Sequence, residues 1–228
     1  MRAFVADSTL VQTECRERLK QIPASTRRRL SSYAKVLITA MLELSERHPQ
    51  LKDTPVILAT RHGDLHRTEK LLRELVRGEV LSPTQFALSV NNAVLGQYSM
   101  AADNRQSMTT LSAGEQTYPL GWLEAISQLQ SEAKRVLLVY SDEVPPAVYS
   151  GQVQSPAKSF SHAVLLDREN GQELILDRLV AKESQLQEDV WGVASSVQKM
   201  FDDGGGKVVQ DYNGVRWSWH VAESLADN

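Results

Sequence analysis

Five histidines, a single cysteine and scattered serines and carboxylates are the groups from which this 228-residue chain could build a reactive site. The lone Cys15 excludes an intrachain disulfide framework and a multi-cysteine zinc site. His62 and His66 stand four apart, a spacing at which one helix face can bind a metal. Gly63 and Asp64 interrupt the pair, no HExxH pattern surrounds it, and Asp64 reads as a helix N-cap, so a solvated helix start is expected there. Ser112 is a formal candidate for a hydrolytic nucleophile. Its Ser-Ala-Gly context lacks the G-x-S-x-G elbow, and no His/Asp partner is evident. Gly204-Gly205-Gly206 could cradle a phosphate, but it follows a predicted helix, whereas phosphate sites use the N–H groups at a helix start. A plain turn is expected. The run Arg27-Arg28-Arg29 could dock an acidic partner; the blander reading is a solvated face, placed unfavourably against a helix dipole.

Composition narrows the class. Hydrophobic residues at 42% and charged residues at 23% are ordinary for a globular chain. A domain of this mass buries roughly 70% of its extended-chain surface and needs no staples. A net charge of −3 and a pI near 6.0 argue against electrostatic binding of nucleic acid. No apolar run approaches the length that spans a bilayer, and Met1 to Leu10 has no continuous apolar stretch of the signal-peptide kind. A cytoplasmic, reduced setting is expected, with no nucleic acid, membrane, metal or cofactor involved.

The elements that would carry these residues follow from periodicity. One apolar stripe from Leu30 to Leu42 predicts a helix from Ser25 to Glu46, ended by His48-Pro49. Pro55 to Thr60 reads as a strand covered on both faces. Asp64 opens a second helix with Leu65, Leu71, Leu72, Leu75 and Val76 inward and Gly78 after it. A third helical segment runs from Ser82-Pro83 to about Met100, followed by a Thr-rich strand, Ser107 to Ser112. Thr117 to Ala133 is a helix and Arg135 to Tyr140 a buried strand. After a long loop to Pro156, strands Ser161 to Asp167 and Glu173 to Val180 are predicted to form a hairpin through Asn170-Gly171. A helix from Gln185 to Phe201 and a last hairpin, Lys207 to Gln210 with Val215 to Val221, complete an α/β domain with a mixed sheet.

Residues 30 to 143 resemble the N-terminal half of the β-ketoacyl synthases, which have the thiolase fold. The resemblance rests on a helix beginning Leu30-Ser31-Ser32-Tyr33-Ala34-Lys35 and the strand and turn Val56 to Gly63. It continues through Leu81-Ser82-Pro83-Thr84-Gln85-Phe86 to Ala93, the strand Ser107 to Ala113, and the helix and strand that end near Tyr140. No single piece is specific; five in the right order are. The match fades after Asp167.

The family's condensing members need a cysteine at the elbow after that strand, where a helix N-terminus favours the thiolate. Here the elbow reads Ser112-Ala113-Gly114-Glu115-Gln116-Thr117. Counting from the strand puts Glu115 at the cysteine position and counting from the helix puts Gln116 there. Gly-Glu-Gln is similar to the elbow of the chain-length factors of type II polyketide synthases, which favours Gln116. Cys15 lies far upstream and is expected to be a buried small apolar residue. The family takes two histidines from a second half, which a chain ending at Asn228 is too short to supply. His162 and His220 lie outside those histidine motifs, and His162 is expected to be an ordinary packed residue.

The resemblance implies a truncated thiolase-like fold, with residues 1–167 as a ketosynthase-like N-terminal half and 168–228 as a hairpin-helix-hairpin extension. It implies a catalytically inert, chain-length-factor-like heterodimer partner of a ketosynthase in polyketide, aryl polyene or fatty-acid-like biosynthesis. Ser107, Met108, Thr109, Thr110, Leu111 and Ser112 would form the interface strand. Phe86 and Val90, with Asn92 beside them, would reach the partner's acyl tunnel, unless Phe86 and Val90 pack in this chain's own core. Two alternatives remain: a malonyl thioester decarboxylase using Gln116 or Glu115, and a binding module for an acidic acyl carrier protein using Arg27 to Arg29.

Overall fold

The structure is a computed structural model that describes residues 1–153, 156–181, 189–212 and 214–222. In chain order its elements are β1 (Arg2–Val11), α1 (Arg16–Leu19), α2 (Ala24–Arg27), α3 (Ser32–Arg47), β2 (Val56–Ala59) and α4 (Leu65–Val76). Next come α5 (Pro83–Ala87), α6 (Ala93–Ala102), β3 (Met108–Leu111), α7 (Thr117–Ser131), β4 (Arg135–Asp142) and β5 (Phe160–Asp167). The chain continues through β6 (Gln172–Val180), α8 (Val190–Asp202), β7 (Gly206–Tyr212) and β8 (Val215–Val221).

The eight strands among the described residues join one mixed sheet, in the order β3-β2-β4-β5-β1-β6-β8-β7. β2 runs parallel to β3 and β4, and every other pairing is antiparallel. Because successive side chains point to opposite faces, β2 and β4 feed two cores at once. Ile57, Ala59, Val136 and Leu138 pack on the face covered by α7 and α8, with Tyr118, Trp122, Trp217 and Trp219. Val56, Leu58, Leu137 and Val139 pack on the other face, with Leu37, Ile38 and Met41 of α3 and Tyr98 of α6. This is the thiolase-like arrangement that the resemblance implies.

Several elements differ from the sequence expectations. The predicted Ser25–Glu46 helix is two helices, because the Ser31 hydroxyl caps Ala34 N–H at 3.1 Å and starts α3 afresh. The segment from Ser82 to Met100 is likewise split into α5 and α6. The strands Ser161–Asp167 and Glu173–Val180 form but do not pair with each other. β1 lies between them, and the Asn170-Gly171 turn passes over it. A Cβ on Gly171 (φ 127°) would stand 2.2 Å from Val5 O, so only glycine fits this crossing.

β1 was not anticipated. A register shift between Val5 and Asp7 breaks its alternation, and its polar residues are satisfied from α3. Asp7 accepts from His48 Nε2 at 2.7 Å, and Thr9 Oγ1 donates to Glu43 at 2.7 Å. Cys15 is half-buried at the start of α1, not enclosed in a core. Residues 185–188 of the predicted Gln185–Phe201 helix lie outside the described residues; α8 supplies the remainder.

The largest discrepancy is α4. Its start agrees, since Asp64 caps Arg67 N–H, but Leu71 is its only buried residue. Leu72, Leu75 and Val76 are exposed, Val76 by 88%. Helical periodicity places these leucines on one face without saying that anything covers it.

Candidate functional site

The parallel strands β3, β2 and β4 end together, and the chain turns there in two directions: through residues 60–64 into α4, and through residues 112–116 into α7. The second turn is the elbow. Ser112 Oγ donates to Thr60 O at 2.5 Å and accepts from Asn91 Nδ2 at 3.4 Å. Asn91 in turn lies on Gly63 (φ 62°), where any Cβ would meet Asn91 Oδ1 at 2.0 Å. Thr117 locks the rest of the turn, accepting from Ala113 N–H at 2.9 Å and donating to Gly114 O at 2.7 Å.

Gln116, the residue before α7, accepts from Trp217 Nε1 of β8 at 3.1 Å. Trp217 is fully buried. Glu115 faces the Tyr212 phenol, which burial, reinforced by that carboxylate, holds well above the usual tyrosine range. Beneath the elbow lies an aromatic interior in which Tyr118 touches Trp122, Tyr140 and Trp219. His162 of β5 is buried there, its Nδ1 2.9 Å from Tyr118 OH. Burial pushes its pKa down to about 3, so the imidazole is neutral. It is a core histidine bonded to a tyrosine.

The elbow brings Ser112, Glu115 and Gln116 together. Ser112 spends its proton on a backbone carbonyl, and His162 is engaged with Tyr118, so the two do not form a nucleophile–base pair. His66 Nε2 donates to Val144 O. Among the described residues, no group of three or more His, Cys, Asp or Glu is arranged to hold a metal ion. Gly204 and Gly205 bond back to Phe201 O and Met200 O, closing the C-terminal end of α8. The Trp217 bond was not foreseen; an isolated tryptophan in the last strand carries no signal of its partner.

The interface candidates sit at the sheet's edge. β3 pairs only with β2 among the described residues. Val56 N–H bonds Ser107 O and Thr60 N–H bonds Leu111 O. With the alternation of a parallel ladder, the Met108 and Thr110 N–H groups therefore face outward. Ser107, Thr109 and Ser112 are exposed, and Met108, Thr110 and Leu111 half-buried. Phe86 is 61% and Val90 50% exposed, so neither packs in the core of this chain. Asn92 is exposed and precedes α6 without a side-chain cap bond. Of the arginine run, Arg27 is tied to Leu19 O and Ile22 O, while Arg28 and Arg29 are exposed. Arg29 borders an open groove of about 550 Å³ lined by Thr84, Ala87, Leu88, Gly96 and Met100. No helix among the described residues is long and apolar enough to cross a membrane.

Residues 5–220 match the family model of the β-ketoacyl synthase N-terminal domain. No curated protein sequence is significantly similar. Among solved structures, the fold is similar to a chain of the complex between the ketosynthase ApeO and its chain length factor ApeC from Xenorhabdus doucetiae. That match has a TM-score of 0.77 and 23% identity, and covers 96% of this chain and 99% of that one. A chain of the apo AntDE:AntF complex, a type II polyketide synthase acyl carrier protein with its ketosynthase, aligns with a TM-score of 0.65. It is 12% identical over 98% of this chain and 99% of that one. The ishigamide ketosynthase/chain length factor aligns with a TM-score of 0.54 and 13% identity, covering 72% of this chain and 53% of that one.

Proposed function

The chain belongs to the β-ketoacyl synthase N-terminal-domain family, and from that membership we propose that it is the non-catalytic, chain-length-factor-like partner of a ketosynthase in polyketide or aryl polyene biosynthesis. One observation carries the reading. At the elbow where a condensing enzyme needs a thiolate, this chain has Gln116, held by Trp217. An amide cannot carry an acyl thioester. Its value then lies in assembly, and the surface supports that: β3 leaves outward N–H and C=O groups of the kind that pair by strand addition. Phe86, Val90 and Asn92 lie exposed in the α5–α6 segment, available to shape a partner's tunnel. Exposed Arg28 and Arg29 suit an acidic acyl carrier protein.

The test is co-expression with a candidate ketosynthase, taken from the same genome. A 1:1 complex by light scattering, with condensing activity that needs both chains, supports the reading. A monomer that ignores that ketosynthase at micromolar concentration, or an acyl group trapped on this chain by mass spectrometry, overturns it.

One observation favours the second reading, a malonyl thioester decarboxylase. Gln116 Oε1 takes the tryptophan N–H, which leaves the amide N–H₂ as a donor for a thioester carbonyl. Carbon dioxide release that disappears in Gln116→Ala and in Glu115→Ala would establish it.

A further inference from the structure

α4 presents an apolar face to water. Leu72, Leu75 and Val76 fall at i, i+3 and i+4, on one side of the helix, and all three are exposed. Val80, just past its end, is 98% exposed, and Leu71 is the only buried residue of the helix. Polar bonds hold α4 in place. Arg67 donates to Asp64 at 2.8 Å, to Gln85 of α5 and to Arg29 O at 2.9 Å, and His66 N–H donates to Glu143 at 3.2 Å. The outer apolar face contributes nothing to the fold of this chain.

The exposure is concentrated. Among the described residues, seven of the twelve large apolar side chains open to water fall between β2 and β3. Single exposed apolar residues are ordinary on a protein surface, whereas a contiguous set marks a contact. This set is joined to the β3 edge. Arg67 and Gln85 tie α4 to α5, and Asn91, next to Val90, donates to Ser112 just past the end of β3 at 3.4 Å.

Area bears on what covers the set. β3 has four residues, about 13 Å of edge. A stable complex buries roughly 800 Å² on each partner, more than so short an edge supplies. Leu72, Leu75, Val76, Val80, Phe86 and Val90 together expose on the order of 400 Å² of apolar surface, which makes up much of the difference. A lipid surface fits poorly. Lys70, Arg73 and Arg77 of this helix and its end are each paired with a glutamate (Glu74, Glu69 and Glu79), whereas an anionic membrane is held by free cations.

We propose that the outer face of α4 is a second docking surface for the chain that adds its strand to β3, forming one continuous interface with that edge. The inference rests on the reading of this protein as a ketosynthase partner, which makes the occupant the ketosynthase subunit. Leu72, Leu75, Val76 and Val80 would form an apolar centre, and the Lys/Arg–Glu pairs its polar rim. Since these side chains already stand in water, replacing them acts on assembly and leaves the isolated fold unchanged.

The experiment measures the affinity of the full chain for the candidate ketosynthase, beside thermal unfolding of the chain alone. The double variant Leu72→Gln with Val76→Gln should weaken the complex by about tenfold or more, with an unchanged unfolding midpoint. Leu179→Gln with Val180→Gln alters an equally exposed apolar pair on β6, away from the β3 edge, and should bind as the unaltered chain does. Equal affinity of the α4 variant, in a complex that does form, overturns this inference and leaves the ketosynthase reading standing. No complex from the unaltered chain overturns both. A fall in the unfolding midpoint of the α4 variant would show that the face packs on its own chain, and also overturns the inference. So does a dimer of the unaltered chain alone, or its sedimentation with phosphatidylglycerol vesicles, if either is lost in the α4 variant: the occupant would then be a second copy or a lipid surface.

Discussion

Trp217 Nε1 donates to Gln116 Oε1 across 3.1 Å, joining residues 101 apart in the chain. The last strand thus fixes the residue that opens α7, and the two-sided core gains a polar link at its rim. Trp217→Phe keeps most of the ring volume but leaves Gln116 Oε1 without its donor. The expected loss is about 1–3 kcal/mol of stability, read as a lower denaturant midpoint with an unchanged slope. Ketosynthase binding should persist, since neither group lies on the β3 edge.

The ladder geometry of β3 separates two proline variants. Thr110 N–H points away from β2, so Thr110→Pro should leave the sheet intact and prevent assembly with the ketosynthase. Thr109→Pro removes an N–H directed at β2 and should destabilise the chain itself. Thermal unfolding of each variant alone, beside size-exclusion chromatography with the partner, distinguishes the two. Equal assembly by Thr110→Pro and the unaltered chain would mean that β3 is not the interface.

His162 sets an acid limit on stability. Its pKa in the fold is about 3 against 6.5 in an ordinary setting, so the unfolded chain binds the extra proton between those values. Its contribution is complete above pH 6.5 and is lost as pH falls towards 3, on the order of 4 kcal/mol in all. Chemical denaturation of the unaltered chain and of His162→Gln across pH 4 to 7 should show a shallower acid loss in the variant.

Phe86 is more than half exposed in the isolated chain. Phe86→Ala should therefore cost this chain little, within about 0.5 kcal/mol, since no enclosed cavity is opened. In the complex, the same change should move products to longer chains, and Val90→Phe should move them to shorter ones. Each methylene added to a filled tunnel gains roughly 0.8 kcal/mol on burial. Product mass spectrometry with the reconstituted pair decides it; wild-type lengths from both variants would remove these residues from the tunnel.

The parts legible in the sequence were those whose signal is local. Val56 to Ala59 and Arg135 to Tyr140 are short apolar runs, and both form central strands because both their faces are covered. The Asp64 cap and the Gly204–Gly206 turn depend on a few adjacent residues and formed as read. What escaped depends on distant pairing. β1 has its alternation broken by a bulge, and its polar residues make sense only beside Glu43 and His48. The Asn170-Gly171 turn looks like a hairpin until a third strand is known to lie beneath it. At the elbow, the absence of a thiol was plain from Ser112 to Thr117, while the tryptophan that holds Gln116 was not. Apolar periodicity in α4 likewise predicted a face and could not tell a core from an open surface.

The place of β1 has a consequence for how the molecule comes into being. β1, which precedes every other strand in this sequence, lies fifth from one end of the finished sheet's order and fourth from the other, between β5 and β6, which begin more than 150 residues later. Neither edge of β1 can find its native partner until β5 and β6 have been made. Long loop closure of this kind slows folding and lengthens exposure to misassembly. Only residues 168–171 separate β5 from β6, so the two strands that cover the edges of β1 follow each other directly in the chain.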